Sequence, residues 1–290
     1  MKFYLGAKPH FMAHTDVPLF VSDTTLRGIR RLPEARGPWA LDSGGFTQLS
    51  EHGTWGSGPS PRQYVEQIRR YAEHIGRLEW AAPQDWMCED VIINGGPMPG
   101  GKHAPGTRLS VAEHQRRTVA NFCELRALNC PVRIIPVLQG DRPAAYEQCA
   151  TLYERAGVDL TREPLVGVGS VCRIQDTPLA AEVIHTVAGI VGPGRAHGFG
   201  FKTEGLRRVA HLLGTADSMA WSAQGRHTPG DGCDFRLPRS RGPHKNEANC
   251  LRYALAWREG VLAAIEKGMT APRQLSLLDL PVEDRLERAA

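Results

Sequence analysis

Short apolar runs alternate with amphipathic stretches about eight times along this chain, and that alternation constrains the fold more than any other feature. Strands are expected at 2–6, 17–21, 39–42, 78–82, 132–138, 165–169, 196–201 and 216–221. Helices are expected at 24–32, from Ser60 onward, and at 110–128, 143–156, 177–191, 204–213 and 248–266. Ser60-Pro61 supplies a cap and a first-turn proline, and Tyr64, Ile68, Tyr71 and Ile75 recur at helical spacing as one buried face. A continuous β–α order means parallel strands joined by helical crossovers. Eight such units in about 250 residues fit a TIM-type (β/α)8 barrel better than an open sheet. With no repeat or linker in view, we expect a single α/β domain: barrel and closing helix over 1–268, then a C-terminal tail over 269–290.

Composition narrows the function classes. No run of about 18 apolar residues exists, so no membrane span or membrane partner is expected. The first residues lack the basic and apolar pattern of a secretory signal. Seven cysteines, odd in number and scattered, argue for a reducing, cytoplasmic setting. A net charge of +4 tolerates a polyanionic partner without requiring one. In the basic stretch with Arg27, Arg30 and Arg31, a solvated face is the simplest reading.

Polar residues gather at the strand ends, where a barrel keeps its chemistry. Pro38-Trp39-Ala40-Leu41-Asp42-Ser43-Gly44-Gly45-Phe46 is an apolar strand that ends in a carboxylate and two glycines. The glycines let a planar ligand approach the backbone. Gln84-Asp85, Gln139 and Ser170 close later strands, and Asp217 lies on the last. Each alone reads equally well as a loop or helix cap. Together, Asp42 and Asp217 can oppose one another as glycosidic-bond chemistry needs. Asp85 and Gln139 can offer an acceptor and a donor to the edge of a base. The glycine- and proline-rich stretch 94–106 is long enough to be a lid or a substrate-binding loop.

These motifs, Asp42-Ser43-Gly44-Gly45-Phe46, Val137-Leu138-Gln139-Gly140, Gly167-Val168-Gly169, His197-Gly198-Phe199-Gly200 and Asp217-Ser218-Met219, stand in the order found in the tRNA-guanine transglycosylase superfamily. The resemblance runs from about Lys2 to Trp257. The short chain, Trp39 to Phe46, and Asp217-Ser218-Met219-Ala220-Trp221-Ser222 look most like the DpdA branch, whose members insert 7-deazaguanine bases into DNA in phages and bacteria. The resemblance implies that Asp217 is the nucleophile at C1′ and that Asp42 shuttles protons. It implies that Asp85 and Gln139 read the base, that Gly167 and Gly169 line its pocket, and that Ser43 and Phe46 belong to the substrate site. It also implies a covalent intermediate, a flipped nucleotide, and no cofactor for the chemistry itself.

The compact cysteine cluster that holds zinc in the tRNA enzymes is absent. Cys233, His244 and Cys250 remain as candidate ligands of a structural zinc, with Glu247 as a possible fourth. Arg236, Arg239, Arg241 and Lys245 crowd the same loop and are expected to contact phosphates. Where the tRNA enzymes carry a glutamate for an aminomethyl substrate, this chain has Ser170-Val171-Cys172-Arg173; a cation there favours a neutral 7-cyano-7-deazaguanine. In the tail, Gln274-Leu275-Ser276-Leu277-Leu278 looks like a sliding-clamp peptide, although leucines packed back on the barrel would explain it too. The leading expectation is a DNA-guanine transglycosylase. The alternatives are the same exchange on tRNA, a non-catalytic nucleic-acid-binding barrel, and a glycoside hydrolase.

Overall fold

The eight expected strands form one ring. The computed structural model describes residues 1–230 and 244–270. Its strands are β1 (Lys2–Gly6), β2 (Leu19–Ser22), β3 (Trp39–Asp42), β4 (Leu78–Ala81), β5, β6 (Val166–Val168), β7 (Ala196–Gly198) and β8 (Leu213–Ser218). The fifth strand is in two pieces, Arg133–Ile134 and Val137–Leu138. Pro136 has no N–H to give a neighbour, which accounts for the interruption of the expected run over 132–138. The ring stays closed across it. β4 pairs in parallel with the first piece, and β6 with the second. Between them, the Ile135 N–H donates to Ala81 O (3.1 Å) and the Gly167 N–H to Pro136 O (2.8 Å). β1 pairs with both β2 and β8, so the first and last strands meet. This is a single-domain TIM-type barrel.

Side chains alternate along each strand, and the barrel needs both faces apolar. Tyr4, Phe20, Ala40, Trp80 and Ile135 point inward and pack together, with Leu165 and Phe199 against them. Their neighbours Phe3, Leu5, Leu19, Val21, Trp39 and Leu41 point outward, into the larger core beneath the helices. The lumen is therefore plugged by aromatic rings. His197 sits among them, its ring centroid 4.8 Å from Trp80 and 4.5 Å from Phe199.

The helices are α1 (Asp23–Leu26), α2 (Gly45–His52), α3 (Pro61–His74), α4 (Asp90–Ile93), α5 (Val111–Ala127), α6 (Pro143–Arg155), α7 (Pro178–Val191), α8 (Thr203–Val209), α9 (Ala220–Gly225) and α10 (Leu251–Thr270). α3 begins as its sequence dictates. Ser60 Oγ accepts from the Gln63 N–H (3.3 Å), and Gln63 Oε1 accepts from the Ser60 N–H (2.8 Å), a reciprocal cap.

Several boundaries differ from expectation. The basic stretch over 24–32 is helical only to Leu26; Gly28 is a poor helix former, and the chain turns there. The last strand starts at Leu213 and stops at Ser218, and Trp221 belongs to α9. α2 was not anticipated. Within 94–106, Gly96–Pro97 and His103–Ala104 form a short antiparallel hairpin. α10 runs two residues past the expected end of the barrel domain. Cys233, Arg236, Arg239 and Arg241 lie outside the described residues, as does the clamp-like peptide over 274–278. No helix among the described residues is long and apolar enough to cross a membrane.

Candidate active site

Above the aromatic plug, at the carboxyl ends of the strands, lies a cavity of about 260 Å³. Its wall carries Asp42, Asp85, Glu89 and Asp217, together with Phe20, Phe46, Phe199 and Met219. A volume of that order suits one bicyclic ring system rather than a long ligand. The residues singled out from three separate strand ends thus meet at one mouth.

Asp42 ends β3 in register with Ser22 of β2. Gly44 follows with φ +80°, a conformation that glycine adopts without strain, and turns its N–H back to Asp42 Oδ1 at 3.0 Å. The same turn launches α2. Burial pushes the Asp42 carboxyl above the usual carboxylate range. The bonds from Gly44 and Ser22 pull it down, and the charges of Asp217 and Asp23 push it further up.

Asp85 sits in the loop after β4 and accepts from Gln139 Nε2 at 2.5 Å. Gln139, fully buried at the end of β5, in turn accepts from Ser170 Oγ at 2.5 Å. Ser170 Oγ accepts from the Cys88 N–H at 2.6 Å. One chain of hydrogen bonds therefore ties the ends of β4, β5 and β6. Gly169 makes room for it, because a side chain there would start 2.3 Å from Gln139 Nε2. Burial, and next the charge of Asp42, push the Asp85 carboxyl up to about 7.

Asp217 sits on β8, opposite Tyr4 of β1. Its Oδ1 accepts from the Gly200 N–H (3.1 Å) and contacts His197 Nε2 (3.3 Å). The other nitrogen of His197 pairs with Thr215 Oγ1 at 2.7 Å. A carboxylate oxygen only accepts, so the ring nitrogen that faces Asp217 is the donor. Both contacts fall on Oδ1. Among the described residues Oδ2 has no such partner.

Two residues that matter here were not assigned roles from the sequence. His197 lies within a quoted motif, but only the register of β7 against β8 brings it under Asp217. Glu89 precedes α4. Burial raises its carboxyl, Cys172 Sγ lies 3.7 Å from its Oε1, and its buried Oε2 has no hydrogen-bond partner among the described residues. A carboxyl group so placed favours its neutral form.

Other expected site residues lie off the cavity wall. Ser43 is buried beneath it, its hydroxyl without a partner among the described residues. Gly167 leaves room for Phe199, 2.6 Å from where its side chain would begin, rather than for a ligand. Gln139 stands behind Asp85 and acts through it. Phe46 is on the wall, and the Arg173 guanidinium lies 5.4 Å from its ring centroid.

Of the candidate metal ligands, His244 and Cys250 do come together, with Glu247 between them. One ligand atom from each lies within 4.8 Å of the other two. Imidazole, thiolate and carboxylate are an acceptable zinc donor set, so the residues fit. Glu247 also bonds His244 Nε2 (3.1 Å) and faces Arg252 (3.5 Å). Lys245 is exposed beside them.

A search of curated proteins gives no match to this chain. One family does match: DpdA, described as DeoxyPurine in DNA protein A, over residues 1–278. That span takes in every strand of the barrel, its mouth and the closing helix, and the chain belongs to the DpdA branch of the tRNA-guanine transglycosylase superfamily.

Proposed function

We propose that this protein exchanges guanine in DNA for a 7-deazaguanine through a covalent aspartyl intermediate. The observation that carries the reading is the single cavity with Asp42 on one wall, Asp217 on another and the Asp85–Gln139 pair between them. Asp217 Oδ2 attacks C1′ of the target nucleotide as the C1′–N9 bond breaks. Asp42, whose carboxyl holds its proton more tightly than usual, protonates the departing guanine. The incoming base then gives its N9 proton back to Asp42 and attacks C1′, which frees Asp217. One glycosidic bond is lost and one is made, so neither ATP nor a redox cofactor enters the balance.

Asp85, held by Gln139 behind it, reads the polar edge of the base, and Phe46 and Phe199 border its faces. Beside them, the Arg173 cation disfavours a cationic substituent, so 7-cyano-7-deazaguanine is the preferred base. A cavity at a barrel mouth requires the target nucleotide to leave its stack. The test is incubation of the full chain with labelled guanine and either DNA or tRNA. Label in DNA is expected; label in tRNA alone would make this a tRNA enzyme, and label in neither would remove the catalytic reading.

We further propose that Cys233, His244 and Cys250 bind a structural zinc, with Glu247 as fourth ligand. Zinc there would tie Cys233 to the residues just before α10. Metal analysis of the purified chain should find about one zinc per chain. A chelator should lower its melting temperature by several degrees, because metal affinity adds to folding stability. A metal-free chain whose melting is indifferent to added zinc would end the proposal.

A further inference from the structure

The cavity wall carries four carboxyl groups and, among the described residues, one cation: Lys8. Lys8 lies two residues past β1, the strand beside β8, and so stands on the Asp217 side of the mouth. Its loop is pressed onto the segment that follows β8. Trp221 Nε1 donates to Gly6 O at 2.7 Å, and a side chain on Gly6 would start 2.6 Å from Met219 Cβ. Trp221 belongs to α9, and Arg226 caps the C-terminal end of that helix. Neither Lys8 nor Arg226 forms an ion pair or a side-chain hydrogen bond among the described residues.

We propose that Lys8 and Arg226 form a phosphate site at the cavity mouth, which holds the DNA backbone next to the nucleotide whose C1′ faces Asp217. This rests on the base-exchange reading above. Burial is the first cause that lowers the Lys8 pKa, and the nearby charge of Arg226 is the second. A partly desolvated cation set beside another cation, neither of them ion-paired among the described residues, is an arrangement that a phosphodiester would relieve. The position suits the chemistry. When a nucleotide flips into the cavity, its base and sugar enter while the flanking phosphates stay at the rim. A phosphate fixed there sets where C1′ falls, as backbone contacts set register elsewhere.

The experiment measures binding of the full chain to a guanine-containing duplex oligonucleotide between about 50 and 200 mM salt. Lys8→Gln and Arg226→Gln should each make the slope of log K against log[salt] shallower by about 0.9, and the double variant by about twice that. Lys8→Arg should keep the wild-type slope. Arg155→Gln, at the C-terminal end of α6 and away from the mouth, should keep it too. Binding of labelled 7-cyano-7-deazaguanine as the free base should be unchanged in every variant, which also reports that each has folded. A double variant with the wild-type slope would overturn the proposal. Loss of free-base binding in a Lys8→Gln variant that melts at the wild-type temperature would also do so, because Lys8 would then belong to the base pocket. Failure of the exchange reading shows separately, as wild-type protein that leaves DNA unlabelled whatever its salt slope.

Discussion

Asp42 and Asp217 are the same residue type at the ends of two strands of one barrel, yet the structure treats them differently. At the end of β3, Asp42 is enclosed near other carboxyl groups, and its proton is held above the usual range by burial and by the charges of Asp217 and Asp23. At the end of β8, Asp217 has one oxygen fixed by two N–H groups, from Gly200 and from His197. The first environment suits a group that gives and takes a proton. The second suits a group that must present an oxygen at a fixed place. Two carboxyl groups with one composition but different surroundings are how a site divides acid/base work from attack.

The sharpest test of that division is Asp217→Asn. An amide cannot form the ester to C1′, so exchange should fall by on the order of 10³-fold or more, and the protein–DNA adduct should vanish. Denaturing electrophoresis of the protein with DNA reads the adduct directly. If the adduct survives, the attacking group is elsewhere and the assignment of roles collapses. The substitution is nearly isosteric and leaves the two N–H contacts an oxygen to bond, so the melting temperature should change little.

Next in size is Asp42→Asn. Without a proton to exchange, base departure should slow by about 10²- to 10⁴-fold, while affinity for the free base stays close to wild type. Single-turnover kinetics alongside equilibrium binding separates the two. A variant that binds and turns over normally would show that the raised Asp42 carboxyl is a product of burial alone.

How far all this was legible in the sequence depends on what each feature needs. β3 runs over the expected residues because its signal is local: an apolar run stopped by Asp-Ser-Gly-Gly. α3 starts where Ser60-Pro61 says, since its cap is formed by residues three apart. α2 was hidden because Gly44-Gly45 reads as a turn. The turn is real, but its left-handed Gly44 also caps a helix that starts at once. The break in β5 follows from Pro136, yet closure of the ring across it depends on two neighbouring strands. Non-local features were the least legible. The sequence places Asp85 and Gln139 54 residues apart, and only the barrel shows that they bond to each other and that Asp85 is the one on the cavity wall. His197 and Glu89 owe their roles to register and to loop packing, neither of which a single strand encodes.

The smallest effect concerns Asp85, which lies between the two ends and is coupled to the first. Burial and the Asp42 charge push its carboxyl from 3.8 to about 7. A group whose folded pKa lies above its unfolded one binds its proton more tightly in the folded protein. Below about pH 4 both states are protonated, and the group's full contribution to stability is present. Between about pH 4 and 7 the unfolded chain has released the proton and the folded chain keeps it, so stability falls as pH rises through that window. Asp85→Asn carries no titrating group, so its stability should decline less over the same range. The difference should be on the order of a few kcal/mol at most, measured by urea unfolding at successive pH values. The Asp42 charge is the second cause of that rise, so the two carboxyl groups are coupled. Asp42→Asn should therefore bring the Asp85 carboxyl down, because one like charge has gone. Asn at 85 should leave formation of the Asp217 adduct possible. A titration of the Asp85 carboxyl, read by carbon NMR, that is unchanged in Asp42→Asn would mean that Asp85 and Asp42 are not coupled, and the contrast between the β3 and β8 ends would then rest on hydrogen bonding alone.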